Sequence, residues 1–520
     1  MNLIAALLRA ECFPHEVERP VQLRETHISW ILLTGRYAYK IKKPVDFGFL
    51  DFSTLDKRRF YCEEEVRLNR RFAPQLYLGV EPVTRRDGRI RMGGDGPAVE
   101  YAVKMRQFDD GRLLERLAER GALDDALVDD MAAAIAGFHQ RAEPAPDDSP
   151  WGDPDDIQHW YQENIDHIRP LLEDDGRLRR LQGLEAWGRG ECARLRETLD
   201  RRRREGWVRE CHGDLHLGNL VCIDGRVTLF DCIEFNPNLR WIDVVSEVAF
   251  LYMDLEHRGL RRQARRFLNR YLQHTGDYAG LALLPYYLVY RALVRAKVAI
   301  LRLAQAPDAQ ERHRARAAYD AYADLAQRFT RPGRPALMIT CGLSGSGKSS
   351  LAVRLVEWLG AVQIRSDVER KRLFGLAPEA RTGSGVDAGI YTREAGRRTY
   401  ERLLRLARAV VEAGFPVVVD ATFLQRARRD AFRELARATG VPFVILYLQA
   451  PVELLKRRVR ARERAGRDPS EAGVAVLEEQ IRDVEPPTPE EGTLVVVDAS
   501  REPDREALLG ELHFGAIERI

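Results

Sequence analysis

The stretch CGLSGSGKSS, residues 341–350, decides how the second half of this 520-residue chain is read. Gly342, Gly347, Lys348 and Ser349 stand in the spacing G-x-x-x-x-G-K-S. The spacing has a mechanical reason. Glycines let the backbone curl, so that N–H groups along Ser344, Gly345, Ser346, Gly347 and Ser350 converge on an anion. The ammonium of Lys348 would reach the outer phosphates of a nucleoside triphosphate, and the Ser349 hydroxyl would face Mg²⁺. The neighbours agree with this. Residues 336–341 (ALMITC) are a short apolar run fit for a buried parallel strand. Residues 350–360 (SLAVRLVEWLG) have helical spacing closed by a glycine. Strand, loop and helix follow in the order that a phosphate-binding loop needs, which predicts ATP or GTP with Mg²⁺ as cofactors.

Downstream, strands and helices alternate, the pattern of a parallel sheet with covering helices. Residues 362–365 read as a strand ending at Ser366-Asp367, and residues 416–419 as one ending at Asp420 within VVVDATF. Residues 442–448 and 493–497 supply two more, and residues 392–413 a long helix. Ligands of such sheets bind beyond the carboxyl ends of the strands. Asp367 is therefore the candidate general base on an acceptor hydroxyl. Asp420 is the candidate acid for Mg²⁺, acting directly or through water. A strand-end acid also serves as a helix cap, and placement beside the loop is what sets these two apart. Arg458 and Arg462 lie four apart on one helix face. Planar guanidiniums there suit the charge that develops on a transferring phosphoryl group. Residues 468–480 (DPSEAGVAVLEEQ) read as a mobile lid returning to a helix.

The first half carries a second set of signals. Residues 28–33 and 36–42 read as two strands joined at Thr34-Gly35. Alternation puts Ala38, Lys40 and Lys42 on one face. A helix near residues 55–71 bears Glu63, Glu64 and Glu65. A strand lysine followed by a helix acid is how a kinase holds nucleotide phosphates. Residues 210–231 (ECHGDLHLGNLVCIDGRVTLFD) then place His212, Asp214 and Asn219 in the spacing H-x-D-x-x-x-x-N, with a short strand ending at Asp231. Asp214 would accept the proton of an attacking hydroxyl, and Asn219 and Asp231 would hold Mg²⁺ on the triphosphate. His212 and Asp243 are expected to order this loop by hydrogen bonds. Helices are expected at residues 124–142 and 156–172, a buried helix pair at 281–303, and a solvated helix end at the four arginines 201–204.

On these stretches, residues 1 to about 330 resemble the aminoglycoside phosphotransferase / choline kinase superfamily, which implies an α+β protein-kinase-like fold. The resemblance implies that Lys40 holds phosphates with Glu64 as its partner, that Asp214 is the base, and that Asn219 and Asp231 are metal ligands. No G-x-G-x-x-G covers the phosphates, and residues 24–27 are the equivalent turn. The metal motif reads Asp-Cys-Ile. Residues 336–500 resemble the small P-loop kinases of the gluconate kinase, polynucleotide kinase and zeta-toxin type, through GLSGSGKS, RSDVERKRL, VVVDATF and RVRAR…DPSEA. That resemblance implies an α/β fold, Asp367 near the acceptor, Arg370 contacting substrate, and Arg458 and Arg462 as lid arginines. Residues 375–390 depart most from those kinases.

Composition sets the outer limits. The chain has 82 basic and 79 acidic residues, a formal charge of only +3, which argues against nucleic acid as the main partner. Seven scattered cysteines, with no C-x-x-C, suit reduced thiols in a cytoplasm. The apolar patch at residues 3–8 is too short for a signal-peptide core. Residues 330–335 (TRPGRP) break any helix, so the domains are expected at 1–330 and 336–520 with a linker at 331–335. The expectation is a fusion of two ATP-dependent kinases acting on small-molecule hydroxyls of the sugar, sugar acid or aminocyclitol type, with no membrane partner. A toxin-like kinase acting on a nucleotide sugar and two other readings stay open at this point. One half is a nucleotide-binding regulatory module for the other, or the second half is a polynucleotide 5′-hydroxyl kinase.

Overall fold

A computed structural model describes residues 3–512, apart from 19, 49, 306–307, 379, 381, 383–388 and 466–468. The chain divides into two compact units. One is Met1–Ile157 with Arg196–Asp254, and the other is Gln158–Leu195 with Leu255–Ile520.

The first unit is built on a six-stranded antiparallel sheet. Its strands are β1 (Gln22–Glu25), β2 (Ser29–Leu33), β3 (Tyr37–Lys42), β4 (Tyr77–Arg86), β5 (Arg89–Met92) and β6 (Ala98–Arg106), in the order β1-β2-β3-β6-β4-β5. β2 and β3 form the expected hairpin, with Lys40 opposite Ile31 on one side and Val103 on the other. The helix Leu55–Asn69 starts at Thr54, whose hydroxyl accepts from Lys57 N. Its Cys62 and Val66 pack with Tyr77 of β4 and Val103 of β6. After it come two short antiparallel pairs. β7 (Val208–Glu210) joins β10 (Trp241–Asp243), and β8 (Leu220–Ile223) joins β9 (Arg226–Leu229). The helix Val244–His257 follows β10 directly.

The second unit holds a five-stranded parallel sheet. Its strands are β11 (Leu337–Cys341), β12 (Val362–Arg365), β13 (Val417–Asp420), β14 (Phe443–Gln449) and β15 (Thr493–Asp498), in the order β12-β13-β11-β14-β15. β11 and β13 are buried at every position, which is why LMITC and VVVD run apolar without alternating. Met338, Val418 and Leu446 of the sheet pack against Leu351 and Leu355 of the helix Lys348–Leu359. The strand order reverses at β11, and the phosphate-loop candidate leaves the sheet there. The helix Arg261–Thr275 also belongs to this unit and packs on the Lys348–Leu359 helix and on β12. The expected helix pair at 281–303 is instead a short 3-10 turn, Tyr278–Ala282, and one unbroken helix, Leu284–Leu301. Pro285 stands at its first turn, where it starts a helix, and no later residue interrupts it. No described helix is long and apolar enough to cross a membrane.

Residues 331–336 are irregular, as the prolines demand, yet the compact units do not divide there: Leu255 onward groups with the parallel sheet. A methyl group on Gly333 would overlap the carbonyl of Gly414, at the turn that leads into β13. Gly333→Ala is expected to destabilise the protein by about 2 kcal/mol, because two backbone segments must separate. Urea unfolding of the full-length protein would measure it.

Candidate active sites

In the first unit, β3 turns Lys40 and Lys42 to the same side because strand residues two apart share a face. Lys40 Nζ donates to Glu65 Oε1 at 2.9 Å and to Asp231 Oδ1 at 2.5 Å. Lys42 Nζ donates to Glu65 Oε2 at 2.7 Å and also to Glu234. Glu65 therefore bridges both lysines. This corrects the assignment to Glu64. One residue along a helix is a rotation of about 100°, and Glu64 faces Arg67 and Arg240 instead. Burial alone would lower the pKa of both lysines. The carboxylates of Asp231, Glu65 and Glu234 outweigh it and hold Lys40 well above the ordinary lysine range. Two ammoniums against three carboxylates leave one acid in excess, and burial together with Glu65 pushes Glu234 upward. Asp231 adopts φ +64, which is uncommon for a non-glycine residue. Its side chain is 44% exposed, so one strained residue carries an open carboxylate beside the lysine.

Asp214 lies on the neighbouring loop, with its side chain 38% exposed. Asn219 Nδ2 donates to Asp214 O at 2.9 Å and Oδ2 at 3.3 Å, which directs the amide oxygen of Asn219 elsewhere. His212 lies beneath, its ring Nε2 bonded to Phe230 O at 2.7 Å, as a loop-ordering residue should be. The carboxylate that orders this loop is Glu247, on the helix Val244–His257. It accepts from His212 N at 3.1 Å, Gly213 N at 2.6 Å and His139 Nε2 at 2.9 Å. Asp254, two turns on, accepts from Leu217 N at 3.0 Å. Asp243, expected in this role, is engaged by Arg202 at 2.7 and 3.0 Å. Both members of that pair are buried, so the 201–204 run is not wholly a solvated helix end.

In the second unit, β11 leads into the loop, and Gly347 caps the helix Lys348–Leu359. Gly345 has φ +83, and a Cβ there would sit 2.9 Å from Leu455 O, so only glycine fits. Lys348 Nζ donates to Leu343 O at 2.7 Å. Burial brings its pKa down to about 8, with Asp420 opposing. Asp420 ends β13, is raised by burial, receives a hydrogen bond from Gln363 Nε2 at 2.9 Å, and has Arg365 Nε at 3.6 Å. Asp367 stands in the first turn of the helix Ser366–Leu373. A cavity of about 620 Å³ brings these groups together, lined by Ser344 through Ser350, Asp367, Arg370, Asp420, Arg458 and Arg462. Of the expected residues only Gly342 does not line it. Gly342 sits below, with its N–H on Thr422 O at 3.0 Å. Arg458 reaches Gly345 O at 3.5 Å, and Arg462 reaches Ala472 O at 2.7 Å. Arg370 lies over the Tyr391 ring at 5.0 Å, and its Nε is buried without a hydrogen-bond partner among the described residues. Arg428, 4.2 Å from the Tyr400 ring centre, lines the same cavity. Of the expected lid, residue 468 lies outside the described residues, and Val474–Asp483 is helical. Within 375–390, residues 379, 381 and 383–388 also lie outside them.

Comparison with known proteins agrees with both halves. The profile of the Phosphotransferase enzyme family (APH) matches residues 61–284, and that of the AAA domain (AAA_33) matches residues 337–487. The uncharacterized protein Rv2004c of Mycobacterium tuberculosis is 32% identical over 475 residues, 90% of this chain and 91% of that protein. The chain belongs to the Rv2004c family. It joins an APH-type kinase domain to a P-loop kinase-type domain, and nucleotide binding follows from both. Part of the second half is similar to the adenylyl-sulfate kinase of Myxococcus xanthus, 33% identical over 117 residues, 22% of this chain and 59% of that protein. The solved choline kinase of Cryptosporidium parvum is 11% identical and covers 62% of this chain and 95% of its own, with a TM-score of 0.39.

In this Rv2004c-family chain, the residues that sequence reading missed are mostly the second layer: Glu65, Glu234, Glu247, Asp254, Gln363, Tyr391 and Arg428. Glu65 had a signal, the acid run 63–65, but its helix phase had to be known. Glu247 has none, since its partners are two backbone N–H groups and a histidine 108 residues away. Its carboxyl is held down at about 2 against an ordinary 4.5, because hydrogen bonds and charge from His139 and His212 overcome burial. The folded value lies below the unfolded one. The stabilisation is therefore complete above about pH 4.5 and is lost as pH falls toward 2. Glu247→Gln is expected to cost about 3 kcal/mol at pH 7. That difference should shrink as denaturant unfolding is repeated from pH 4.5 downward.

Proposed function

We propose that this protein transfers the γ-phosphoryl group of ATP or GTP to hydroxyls of small metabolites at two sites. One lies in a domain spanning residues 1–330 and the other in a domain spanning 336–520, joined by the linker 331–335. The observation that carries the reading is that each site brings together a buried or half-buried lysine, an exposed or cavity-facing aspartate and hard oxygen donors. Asn219 with Asp231, and Ser349 with Asp420, fit Mg²⁺ by donor type; when bound, the ion would neutralise charge on the outer phosphates. Lys40, oriented by Glu65, and Lys348 hold phosphate oxygens. Asp214 and Asp367 take the proton of the attacking hydroxyl. Arg458 and Arg462 meet the charge that builds on the transferring group.

The acceptors belong, in this reading, to the sugar, sugar acid or aminocyclitol type. For the second, the unpaired Nε of Arg370 beside Tyr391 favours an acceptor that carries a carboxylate or phosphate. Arg370→Ala is then expected to raise KM for the acceptor at least tenfold, the worth of one charge-assisted hydrogen bond, with kcat less affected. Steady-state kinetics on the identified acceptor would read both constants.

The proposal is tested by incubating wild type, Asp214→Ala, Lys348→Ala and the double variant with γ-labelled ATP, Mg²⁺ and a fractionated metabolite pool. Each single variant is expected to lose a different labelled product. Loss of all products in one variant would make the other half a regulatory module. ATP hydrolysis that no small molecule stimulates would end the metabolite-kinase reading.

A further inference from the structure

We infer that the Arg261–Thr275 helix is a working part of the P-loop site, where Gln273 and Asn269, acting through Gln363, position the carboxylate of Asp420. The inference rests on the reading of Asp420 as the acid that faces Mg²⁺. The helix falls within the stretch matched by the phosphotransferase profile, residues 61–284, but folds into the unit that contains the parallel sheet.

The argument follows donors and acceptors. An ionised Asp420 can only accept, so Gln363 turns its Nε2 toward Oδ2, at 2.9 Å. That choice points Gln363 Oε1 the other way, where it needs a donor. β12 is an edge strand, with β13 as its only strand neighbour among the described residues, so the sheet supplies none on its outer side. The helix supplies it. Gln273 Nε2 donates to Gln363 Oε1 at 3.0 Å, and Asn269 Nδ2 approaches it at 3.5 Å. Asn269 Oδ1 in turn accepts the backbone N–H of Gln363 at 2.9 Å, which closes the exposed edge of β12. Gln273 is oriented from its own helix, since its Oε1 accepts from Arg270 Nη1 at 3.1 Å. Asn269, Gln273, Gln363 and Asp420 are all 5% exposed or less. Amides that deep are costly unless every polar atom is matched, so these are not packing filler.

The same helix grips the other side of the site. Arg265 Nη1 donates to the carbonyls of Glu357 at 3.0 Å and Trp358 at 2.8 Å, in the last turn of the Lys348–Leu359 helix. Arg262 and Arg266 hold the Glu357 carboxylate at 2.9 and 3.1 Å. One element therefore fixes both the helix that starts with Lys348 and Ser349 and the acid that faces them. Gln273 and Asn269 are positioning residues: they touch neither nucleotide nor acceptor, and act through the orientation of one amide.

Replacing Gln273 by Met keeps length and shape but removes the nearer donor. Gln363 Oε1 is then left with Asn269 Nδ2 alone, at 3.5 Å, so the amide that holds Asp420 is anchored less firmly. The test uses the full-length protein and measures ATP affinity with Mg²⁺ and with EDTA in wild type, Gln273→Met and Gln273→His. Each is repeated with Lys348→Ala, to subtract the contribution of the first site. Gln273→Met is expected to cut the gain in affinity that Mg²⁺ brings about fivefold, the worth of one hydrogen bond. Affinity in EDTA should stay unchanged. Gln273→His keeps a ring N–H donor and should retain most of the gain. If both affinities fall together in Gln273→Met, or if neither changes, the inference is overturned. A chain whose ATP affinity ignores Lys348→Ala overturns the underlying reading of the P-loop site, and the inference with it.

Discussion

The first unit depends on a cluster of buried charge. Lys40 and Lys42 leave water on the same face of β3, and neither could do so alone, since an isolated buried ammonium would give up its proton or unfold the strand. Glu65 meets both, Asp231 meets the first and Glu234 the second. Three segments far apart in sequence must therefore converge before any of them is stable. The strand brings the lysines, the Leu55–Asn69 helix brings the bridging acid, and the loop after β9 brings the other two. This requirement sets the position of Lys40 more tightly than apolar packing could, because ion pairs of this kind fail when geometry drifts.

The two sites share a design one layer back from the chemistry. In the first, Glu247 and Asp254 receive the N–H groups of His212, Gly213 and Leu217, so that Asp214 and Asn219 project from a loop whose backbone is already satisfied. In the second, Gln363 Nε2 and Arg365 Nε both approach Asp420, the former as a hydrogen bond. Both arrangements anchor an aspartate from behind and leave little around it free to move, which is what catalysis by positioning would ask of a scaffold.

The grouping of the Arg261–Thr275 helix with the parallel sheet has the same origin. Three of its arginines and two of its amides find their partners on the Lys348–Leu359 helix and on β12. A short proline-bearing link near residue 333 separates stretches of sequence. Where the compact units divide was decided by buried polar partners instead.

What the sequence determined by itself was local. The loop G-x-x-x-x-G-K-S, the spacing from His212 to Asn219, the strand-end acids Asp231, Asp367 and Asp420, and the common face of Lys40 and Lys42 each depend on residues a few positions apart. Backbone periodicity alone relates such residues. Tertiary structure decided the rest. Glu65 rather than Glu64 meets Lys40, because the rotation of a helix about its axis is set by what it packs against. Glu247 rather than Asp243 holds the loop from His212 to Asn219, because Arg202 claims Asp243 from 41 residues away. Gln363 reads in sequence as an ordinary strand residue. It takes on a role only when a helix some 90 residues earlier supplies its donor, a relation that no local spacing encodes.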